Sequence, residues 1–269
     1  MNVHAAERHA LVTGSSSGIG AAVAERFAEE GVLVSVHGRD ADRTHEVAEK
    51  IAARGAKVLA LVGDVSSDHA VAAMVEEAQA VHGPITILVN NAGRMPRFFP
   101  DWEMTSTGEW LDLYDTNVVG AVRFVQKVLP QMRQSGWGRI IQMGSISGDS
   151  PPPGSQISYG PTKAALHNFS VGLAKILAGS GITVNCVSPG TIDTPGLARI
   201  FAEGDPSFPL GRTWPEVRET LISGFRKNYA ERMGGAAEVA ELVAFLCSTK
   251  ADYINGVNYR IDGGTAGGR

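Results

Sequence analysis

Tyr159 and Lys163 stand four positions apart in the stretch S-Q-I-S-Y-G-P-T-K-A-A-L, residues 155–166. In a helix this spacing places both side chains on one face. A free tyrosine has a pKa of about 10. A neighbouring ammonium stabilises the phenolate and lowers that pKa, so the phenol can exchange a proton near neutral pH. The pair therefore indicates acid–base chemistry, although a surface helix with one extended lysine has the same spacing.

The residues around this pair favour a site. Pro161 fits the first turn of a helix, where its missing N–H costs nothing. Ser145 follows an apolar segment in I-I-Q-M-G-S-I-S-G, which predicts a strand that ends just before the serine. Ligands of parallel sheets bind at the carboxyl edge of the strands. Ser145 is therefore a third candidate, with an ordinary turn serine as the alternative.

A glycine-rich loop, T-G-S-S-S-G-I-G at residues 13–20, lies between the first predicted strand and the first predicted helix. In such a loop Gly14 permits the tight turn, Gly18 lets the backbone approach a pyrophosphate, and Gly20 lets the helix lie close to the strand. The helix N-terminus offers free N–H groups to phosphate. The context predicts a dinucleotide site, where the alternative is a simple glycine turn.

The end of the second predicted strand, V-S-V-H-G-R-D at residues 34–40, bears on the choice of dinucleotide. An acid that binds the ribose 2′-hydroxyl of NAD is expected there, but Gly38 occupies the place and Arg39 follows. A guanidinium binds a 2′-phosphate by paired hydrogen bonds. We expect Asp40 to cap the next helix. The pattern favours NADP over NAD, unless Arg39 is only a solvated surface charge.

Short apolar segments alternate with amphipathic ones along the whole chain, and this pattern predicts a doubly wound α/β fold with one parallel sheet. The predicted strands are Ala10–Thr13, Val32–Val36, Lys57–Val62, Ile85–Asn90, Arg139–Met143, Ile182–Val187 and Val257–Ile261. The predicted helices are Ala21–Glu30, Arg43–Arg54, Ala70–Val81, Glu109–Gln134, Thr162–Ala178 and Ala236–Cys247. We expect residues 1–269 to form a single domain, because no linker divides them.

Composition excludes several classes of function. The net charge is −4 and no basic run is present, so nucleic acid is not an expected partner. The sequence has neither a signal-peptide pattern nor an apolar run long enough to cross a membrane. Cys186 and Cys247 are expected to be reduced core residues, and the histidine spacing predicts no metal site. The chain is expected to be cytoplasmic.

Residues 192–232 interrupt the alternation with four prolines and two apolar helical stretches, near Leu197–Phe201 and Val217–Phe225. Long insertions in compact domains are commonly functional, so we predict a substrate lid. The remaining pocket walls are expected from residues 145–155, stiffened by prolines 151–153, and from the segment after Gly93.

Two sets of side chains bear on the nature of the substrate. Aromatic residues favour an apolar carbonyl or secondary alcohol: Phe98, Phe99, Trp102, Phe201, Phe208, Trp214 and Phe225. Arginines favour an anionic substrate such as a phosphopantetheine thioester: Arg94, Arg97, Arg199 and Arg212.

Seven motifs in order make this chain resemble the short-chain dehydrogenase/reductase family, and the resemblance covers nearly its whole length. The motifs are T-G-S-S-S-G-I-G (13–20), G-D-V (63–65), N-N-A-G (90–93), N-V-V-G (117–120), Ser145, Y-G-P-T-K (159–163) and S-P-G-T-I-D-T (188–194). The resemblance implies a seven-stranded Rossmann domain with helices on both faces of the sheet. It also implies a ketoreductase-like enzyme that interconverts a ketone and a secondary alcohol.

The resemblance further implies four catalytic residues. Tyr159 would be the general acid or base, and Ser145 would donate a hydrogen bond to the substrate oxygen. Lys163, together with the positive nicotinamide of the oxidised cofactor, would lower the pKa of the tyrosine, and Lys163 would also bind the nicotinamide ribose. Asn117 would hold a water that relays protons to the lysine.

The cofactor residues implied by the same resemblance are spread along the chain. They are Gly14, Ser16, Ser17, Gly18, Ile19, Gly20, Arg39, Asp64, Val65, Asn91, Ala92, Gly93, Tyr159, Lys163, Pro189, Gly190, Ile192 and Thr194. Asp64 and Val65 would contact the adenine, and Ser15 to Ser17 would supply hydroxyls to the phosphates. Some NADP-using members carry a basic residue where Ser17 stands here, so the expectation of NADP rests on Arg39.

The leading hypothesis is thus an NADP-preferring oxidoreductase that acts on a small-molecule carbonyl or alcohol. The alternatives are an NAD-dependent alcohol dehydrogenase of the same fold and a catalytically silent dinucleotide sensor or scaffold. Silent relatives would be expected to lose the tyrosine or the lysine, and both are present. The resemblance also implies a homo-oligomer, tetramer or dimer, joined through the helices around residues 109–134 and 162–178.

Overall fold

The computed structural model describes residues 8–95, 101–151, 155–202, 213–223 and 228–266. Its strands are β1 (His9–Val12), β2 (Leu33–Gly38), β3 (Val58–Val62), β4 (Ile87–Asn90), β5 (Gly138–Met143), β6 (Ile182–Pro189), β7 (Ile192–Asp193), β8 (Gly234–Gly235) and β9 (Asn258–Ile261). Seven of them form one sheet in the order β3-β2-β1-β4-β5-β6-β9, and every pairing in it is parallel. All seven predicted strands are therefore confirmed.

Helices connect these strands. They are α1 (Gly18–Glu29), α2 (Ala41–Ala52), α3 (Asp68–His82), α4 (Thr107–Tyr114), α5 (Gly120–Ser135), α6 (Tyr159–Ile176), α7 (Pro195–Ala202), α8 (Trp214–Ser223) and α9 (Ala236–Leu246). Asp40 caps α2 by accepting a hydrogen bond from the Arg43 amide, as predicted. No helix within the described segments has the length and apolar character that a membrane crossing needs.

The helix predicted over residues 109–134 is longer at its start and is not uniform. Ser106 caps α4, and a π-helical turn, Asp115–Val119, separates α4 from α5. A π-helical turn inserts an extra residue into the helical ladder and is frequent at functional sites. The hydrophobic pattern does not reveal it, because one extra residue shifts the apolar face only locally.

The sheet has an apolar core on each face, which confirms the predicted Rossmann-type fold. On one face, α1, α2 and α9 bury side chains such as Phe27, Ile51 and Val239. On the other face, α3, α5 and α6 bury Phe124 and Leu173 among others. Because the central strands are covered on both sides, they read as continuous apolar runs. Cys186 and Cys247 are both buried free thiols.

A second, two-stranded sheet brackets the predicted lid segment and was not predicted. β7 and β8 pair in parallel, with Ile192 opposite Gly234. Between them, α7 and α8 agree with the two predicted apolar helical stretches. Arg218 of α8 forms an ion pair of 3.0 Å with Asp193, which ties α8 to β7.

Candidate active site

The carboxyl ends of β1, β4, β5 and β6 open onto one cavity of about 260 Å³. The strand order reverses between β1 and β4, and such a reversal leaves a crevice where ligands bind. Nine predicted site residues line the cavity: Ser17, Gly18, Ile19, Asn91, Gly93, Tyr159, Lys163, Pro189 and Thr194. Arg94 and Met95 of the predicted pocket wall also line it. Gly196, at the start of the predicted lid segment, belongs to the lining too, as does Gly144, which was not predicted.

The glycine loop has the shape that a bound pyrophosphate requires. Gly14 has φ +65°, and a Cβ placed there would lie 2.7 Å from Ala92 Cα. A Cβ on Gly20 would lie 2.5 Å from the Gly14 oxygen. Ser17 precedes α1 in an extended conformation, and its side chain makes no capping hydrogen bond. The first-turn N–H groups of α1 and the Ser17 hydroxyl are therefore free to bind phosphate oxygens, so the residues present fit a dinucleotide.

Ser15 does not have the predicted role in phosphate binding. Its side chain is fully buried, its hydroxyl donates to the Val12 oxygen at 2.7 Å, and it accepts from the His37 amide at 2.8 Å. Asn91 likewise supports the loop from below, because its Nδ2 donates to the oxygens of Thr13 and Gly14 at 2.9 and 3.0 Å. These two residues shape the loop, and the sequence motif alone does not distinguish that role from ligand contact.

Arg39, at the end of β2, is exposed. The Asp40 carboxylate accepts hydrogen bonds from the Arg43 amide at 3.1 Å and from the Arg43 Nε at 2.9 Å. Within the described residues the Arg39 guanidinium forms no hydrogen bond or ion pair. A Cβ on Gly38 would lie 2.4 Å from Thr44 Oγ1 and 2.8 Å from Ser16 Oγ. The site therefore has no room for the acid that NAD-binding proteins place there, but it offers a free cation.

Asp64 and Val65 follow β3 beside Arg39. The Asp64 carboxylate accepts from the Ser66 amide at 2.9 Å, and this bond lowers the pKa of Asp64, with desolvation opposing it. Arg39 lies close enough to lower that pKa further. The Val65 side chain packs into the core, so only its backbone can contact an adenine. The predicted contact of Val65 is thereby restricted to its main chain.

Tyr159 and Lys163 lie on one face of α6, as predicted. The Lys163 Nζ lies 5.6 Å from the centroid of the tyrosine ring and donates to the Met143 oxygen at 2.7 Å. Ser145 stands after β5, where its hydroxyl accepts from the Ser147 amide at 3.2 Å and lies near enough to Tyr159 to influence the pKa of the phenol. Two segments, α6 and the turn after β5, thus bring a phenol, an ammonium and a hydroxyl together beside the cavity.

Burial controls the ionisation of this pair, which corrects one expectation. Burial raises the pKa of Tyr159 to about 12, with the Ser145 hydrogen bond opposing it. Burial also lowers the pKa of Lys163 to about 8. In the protein alone the net shift of the tyrosine pKa is upward, because desolvation of the phenolate outweighs the opposing effect of Ser145. At neutral pH the tyrosine is a protonated donor, and the lysine is mostly an ammonium.

Asn117 occupies the π-helical turn and is 1% exposed. Its Oδ1 accepts from the Arg94 amide at 2.8 Å, and its Nδ2 donates to the Arg94 oxygen at 3.0 Å and to Thr162 Oγ1 at 3.2 Å. Both Nδ2 hydrogens are therefore used within the protein. The side chain joins the segment after β4 to α6, next to Lys163, and has no donor left for the predicted water.

The predicted nicotinamide side lies beyond β6. Thr194 packs over the glycine loop, since a Cβ on Gly18 would lie 3.4 Å from its Cγ2 atom, and its Oγ1 accepts from the Leu197 amide. Gly190 packs against Asp262, and Ile192 is 6% exposed. Of these predicted residues, Pro189 and Thr194 face the cavity, and Gly190 and Ile192 pack behind it.

Much of the predicted substrate wall lies outside the described residues, including Arg97, Phe98, Phe99, prolines 152 and 153, Phe208, Arg212 and Phe225, as does the Phe201 side chain. Of the predicted aromatic lining, Trp102 and Trp214 are described, and neither lines the cavity. Within the described segments, no group of three or more His, Cys, Asp or Glu residues could hold a metal ion.

Comparison with known proteins gives consistent matches along the chain. A family model described as short chain dehydrogenase matches residues 8–204. The chain is 36% identical over 261 residues to the 3-oxoacyl-[acyl-carrier-protein] reductase FabG of Pseudomonas aeruginosa, covering 95% of this chain and 96% of that protein.

Two solved structures extend the match to three dimensions. L-sorbose reductase from Gluconobacter frateurii, complexed with NADPH and L-sorbose, has a TM-score of 0.89 at 33% identity and covers all of both chains. A variant of the actinorhodin polyketide ketoreductase with NADPH has a TM-score of 0.89 at 29% identity, covering 97% of this chain and 98% of that one.

Proposed function

Because this chain belongs to the short-chain dehydrogenase/reductase family, a family of NAD(P)-dependent oxidoreductases, we propose that it reduces a ketone to a secondary alcohol with NADPH as the preferred hydride donor. The observation that carries the proposal is the meeting of Tyr159 and Lys163 with the glycine loop at a single cavity. Ser145 lies near Tyr159 and opposes the rise in its pKa. The same groups serve the reverse oxidation.

The proposed mechanism assigns each group one task. A bound NADPH would supply the hydride for the carbonyl carbon. The Tyr159 hydroxyl would donate its proton to the carbonyl oxygen as negative charge develops there, so the product would be a neutral alcohol. Tyr159 suits this role because its raised pKa keeps it protonated at neutral pH. Ser145 donates a hydrogen bond to the same oxygen. The Lys163 ammonium stabilises the phenolate that remains and binds the nicotinamide ribose.

NADP preference is proposed from the adenosine end of the site. Arg39 offers a free guanidinium to the 2′-phosphate, while the packing around Gly38 leaves no room for a ribose-binding acid. In an NAD-dependent enzyme a carboxylate at this position binds the ribose 2′-hydroxyl, and it would repel the 2′-phosphate of NADP.

We also propose that residues 192–232 act as a lid inserted into a single Rossmann domain that spans the chain. Thr194 and Gly196, at its start, line the cavity. The pairing of β7 with β8 holds the two ends of this segment together. The ion pair between Arg218 and Asp193 attaches α8 to β7.

The proposed activity predicts that the purified protein consumes NADPH only when a suitable ketone is present. The relatives act, by their names, on 3-oxoacyl groups, on L-sorbose and on polyketides. A panel should therefore span 3-oxoacyl thioesters, ketoses and aromatic ketones, with loss of NADPH absorbance as the measurement and the matched alcohols as inert controls. If no ketone is reduced while dinucleotides still bind, the result would favour the alternative of a catalytically silent dinucleotide sensor or scaffold. Faster reduction with NADH would favour the NAD-dependent alternative.

A homo-oligomer is proposed from the surface of the helices that follow β4 and β5. Leu111 of α4 and Ile176 of α6 are each 71% exposed, and both lie on the helices through which the family resemblance implies that subunits join. Leu111→Glu is expected to weaken self-association by about tenfold or more, because it buries a charge in the interface. Light scattering after gel filtration measures this. Val81→Glu on α3, 55% exposed, is the control and should not change the assembly. A monomeric wild type would contradict the proposal.

A further inference from the structure

His37 lies at the end of β2, is 2% exposed, and holds the glycine loop in place. Its Nδ1 accepts from the Gly14 amide at 3.0 Å, and its backbone oxygen accepts from the Ser15 amide at 2.7 Å. Its own amide donates to Ser15 Oγ at 2.8 Å. The other ring nitrogen, Nε2, lies 3.1 Å from the Gly63 oxygen. One residue therefore connects the loop after β1 to the loop after β3.

The backbone partners determine which tautomer is present. An amide N–H can only donate and a carbonyl oxygen can only accept, so Nδ1 carries no proton and Nε2 donates to Gly63. A protonated ring would place two N–H donors against each other at Gly14. Burial lowers the pKa of His37 to about 4, consistent with a ring that stays neutral, with Gly63 and Asp64 opposing the shift and Arg39 adding to it. The ring of Phe124, 5.9 Å away, covers its buried side.

The position of this ring relates it to both ends of the cofactor. Gly14 opens the loop proposed to bind the pyrophosphate, and Gly63 precedes Asp64, proposed at the adenine. Arg39, proposed at the 2′-phosphate, follows His37 by two residues. Because these groups lie on separate strands, their spacing depends on what joins the strand ends.

We propose that His37 is a positioning residue of the dinucleotide site, whose ring fixes the glycine loop against the loop after β3 and thereby sets the affinity for the part of the cofactor shared by NAD and NADP. The inference rests on the dinucleotide site of the proposed function but not on its carbonyl chemistry. It assigns His37 no contact with the cofactor, since the ring lies beneath the loop.

Two substitutions separate the hydrogen bonds. His37→Leu removes both ring contacts and leaves the buried Gly14 amide without an acceptor. His37→Asn keeps an acceptor at the position of Nδ1 and loses only the bond to Gly63. His37→Leu should therefore weaken dinucleotide binding more than His37→Asn does.

His9 provides a matched control in the same sheet. It is fully buried, its Nδ1 lies 2.9 Å from the Gly83 oxygen, and its Nε2 lies 2.9 Å from Ser35 Oγ. Burial lowers its pKa to about 4 as well. It begins β1 at the amino edge of the sheet, away from the cavity, so His9→Leu removes an equivalent ring where no cofactor is expected.

Titration calorimetry with NADP⁺ and with NAD⁺ tests the proposal without any carbonyl substrate. His37→Leu is expected to raise the Kd of both dinucleotides by the same factor, about tenfold or more, because an unsatisfied buried amide distorts the loop. His37→Asn is expected to raise it by about threefold. His9→Leu should lower the melting temperature but leave both Kd values within about twofold of wild type.

Three results would overturn this role. One is an unchanged Kd in folded His37→Leu, and another is an equal loss of affinity in His9→Leu, which would indicate general loosening. The third is an unchanged Kd in His37→Asn, which decides the matter if the leucine variant does not fold. Failure of carbonyl reduction with these affinities as expected would count against the proposed activity and not against His37.

Discussion

Tyr159→Phe is expected to lower the rate of ketone reduction by about three orders of magnitude and to leave NADPH binding nearly unchanged. The substitution removes one oxygen and keeps the ring, so the packing at the start of α6 is preserved. What disappears is the proton donor for the oxyanion that forms as the hydride arrives. Water is a poor replacement, because the phenol lies in a site that desolvates it enough to raise its pKa to about 12.

Single-turnover reduction and direct NADPH titration measure the two quantities separately. Tyr253→Phe is the matched control, because Tyr253 is fully exposed and the same atom is lost. Ser145→Ala should have a smaller effect, about a hundredfold, since it removes a hydrogen bond to the oxyanion and not the proton itself. Retention of a tenth or more of the wild-type rate by Tyr159→Phe, or a parallel loss of NADPH affinity, would exclude Tyr159 as the acid.

The sheet could be predicted because its strands carry their own signal. β1, β5 and β6 are buried along their whole length and are rich in apolar residues, so each stands out from the amphipathic segments around it. The two-residue strands β7 and β8 were missed, since a pair this short depends on the lid connection and has no periodicity of its own. The π-helical turn was missed for a similar reason, because it changes hydrogen bonding without changing composition.

The site was predicted in its membership but not in its energetics. Motif spacing brought Tyr159, Lys163 and the glycine loop together correctly, because helical geometry and strand ends are local properties. In the protein without cofactor, burial raises the pKa of Tyr159, whereas the predicted lowering relied on Lys163 together with the positive nicotinamide of a bound cofactor. Ser15 was assigned to the phosphates, although it is turned inward to Val12. Such choices depend on partners far along the chain, which a motif does not contain.

The two ends of the proposed cofactor site have different physical bases. At the nicotinamide end, buried groups act on one another, and the effects of desolvation are large. At the adenosine end, Arg39 is exposed and acts on a phosphate through solvent-accessible hydrogen bonds. The proposed selectivity for NADP therefore depends on a single charge that can be reversed without disturbing the core.

Arg39→Asp is accordingly expected to raise the KM for NADPH by about a hundredfold and to change the KM for NADH by less than about threefold. The guanidinium contributes charge-assisted hydrogen bonds only to the 2′-phosphate, and the carboxylate that replaces it repels that phosphate. The maximum rate with saturating cofactor should stay near that of wild type, because Arg39 lies at the opposite end of the dinucleotide from the hydride. Steady-state kinetics with each cofactor at fixed ketone measure the change.

Arg54→Asp separates a local contact from a general electrostatic effect. Arg54 lies just beyond the other end of α2, is 58% exposed, and forms ion pairs with Glu25 and Glu29 at 3.4 and 3.6 Å. Its replacement changes the net charge by the same amount as Arg39→Asp, so any long-range attraction of the polyanionic cofactor weakens similarly in both. Equal losses of NADPH affinity in the two variants would mean that Arg39 attracts the cofactor only from a distance. A loss confined to Arg39→Asp requires direct contact with the 2′-phosphate, since no other part of NADPH distinguishes it from NADH.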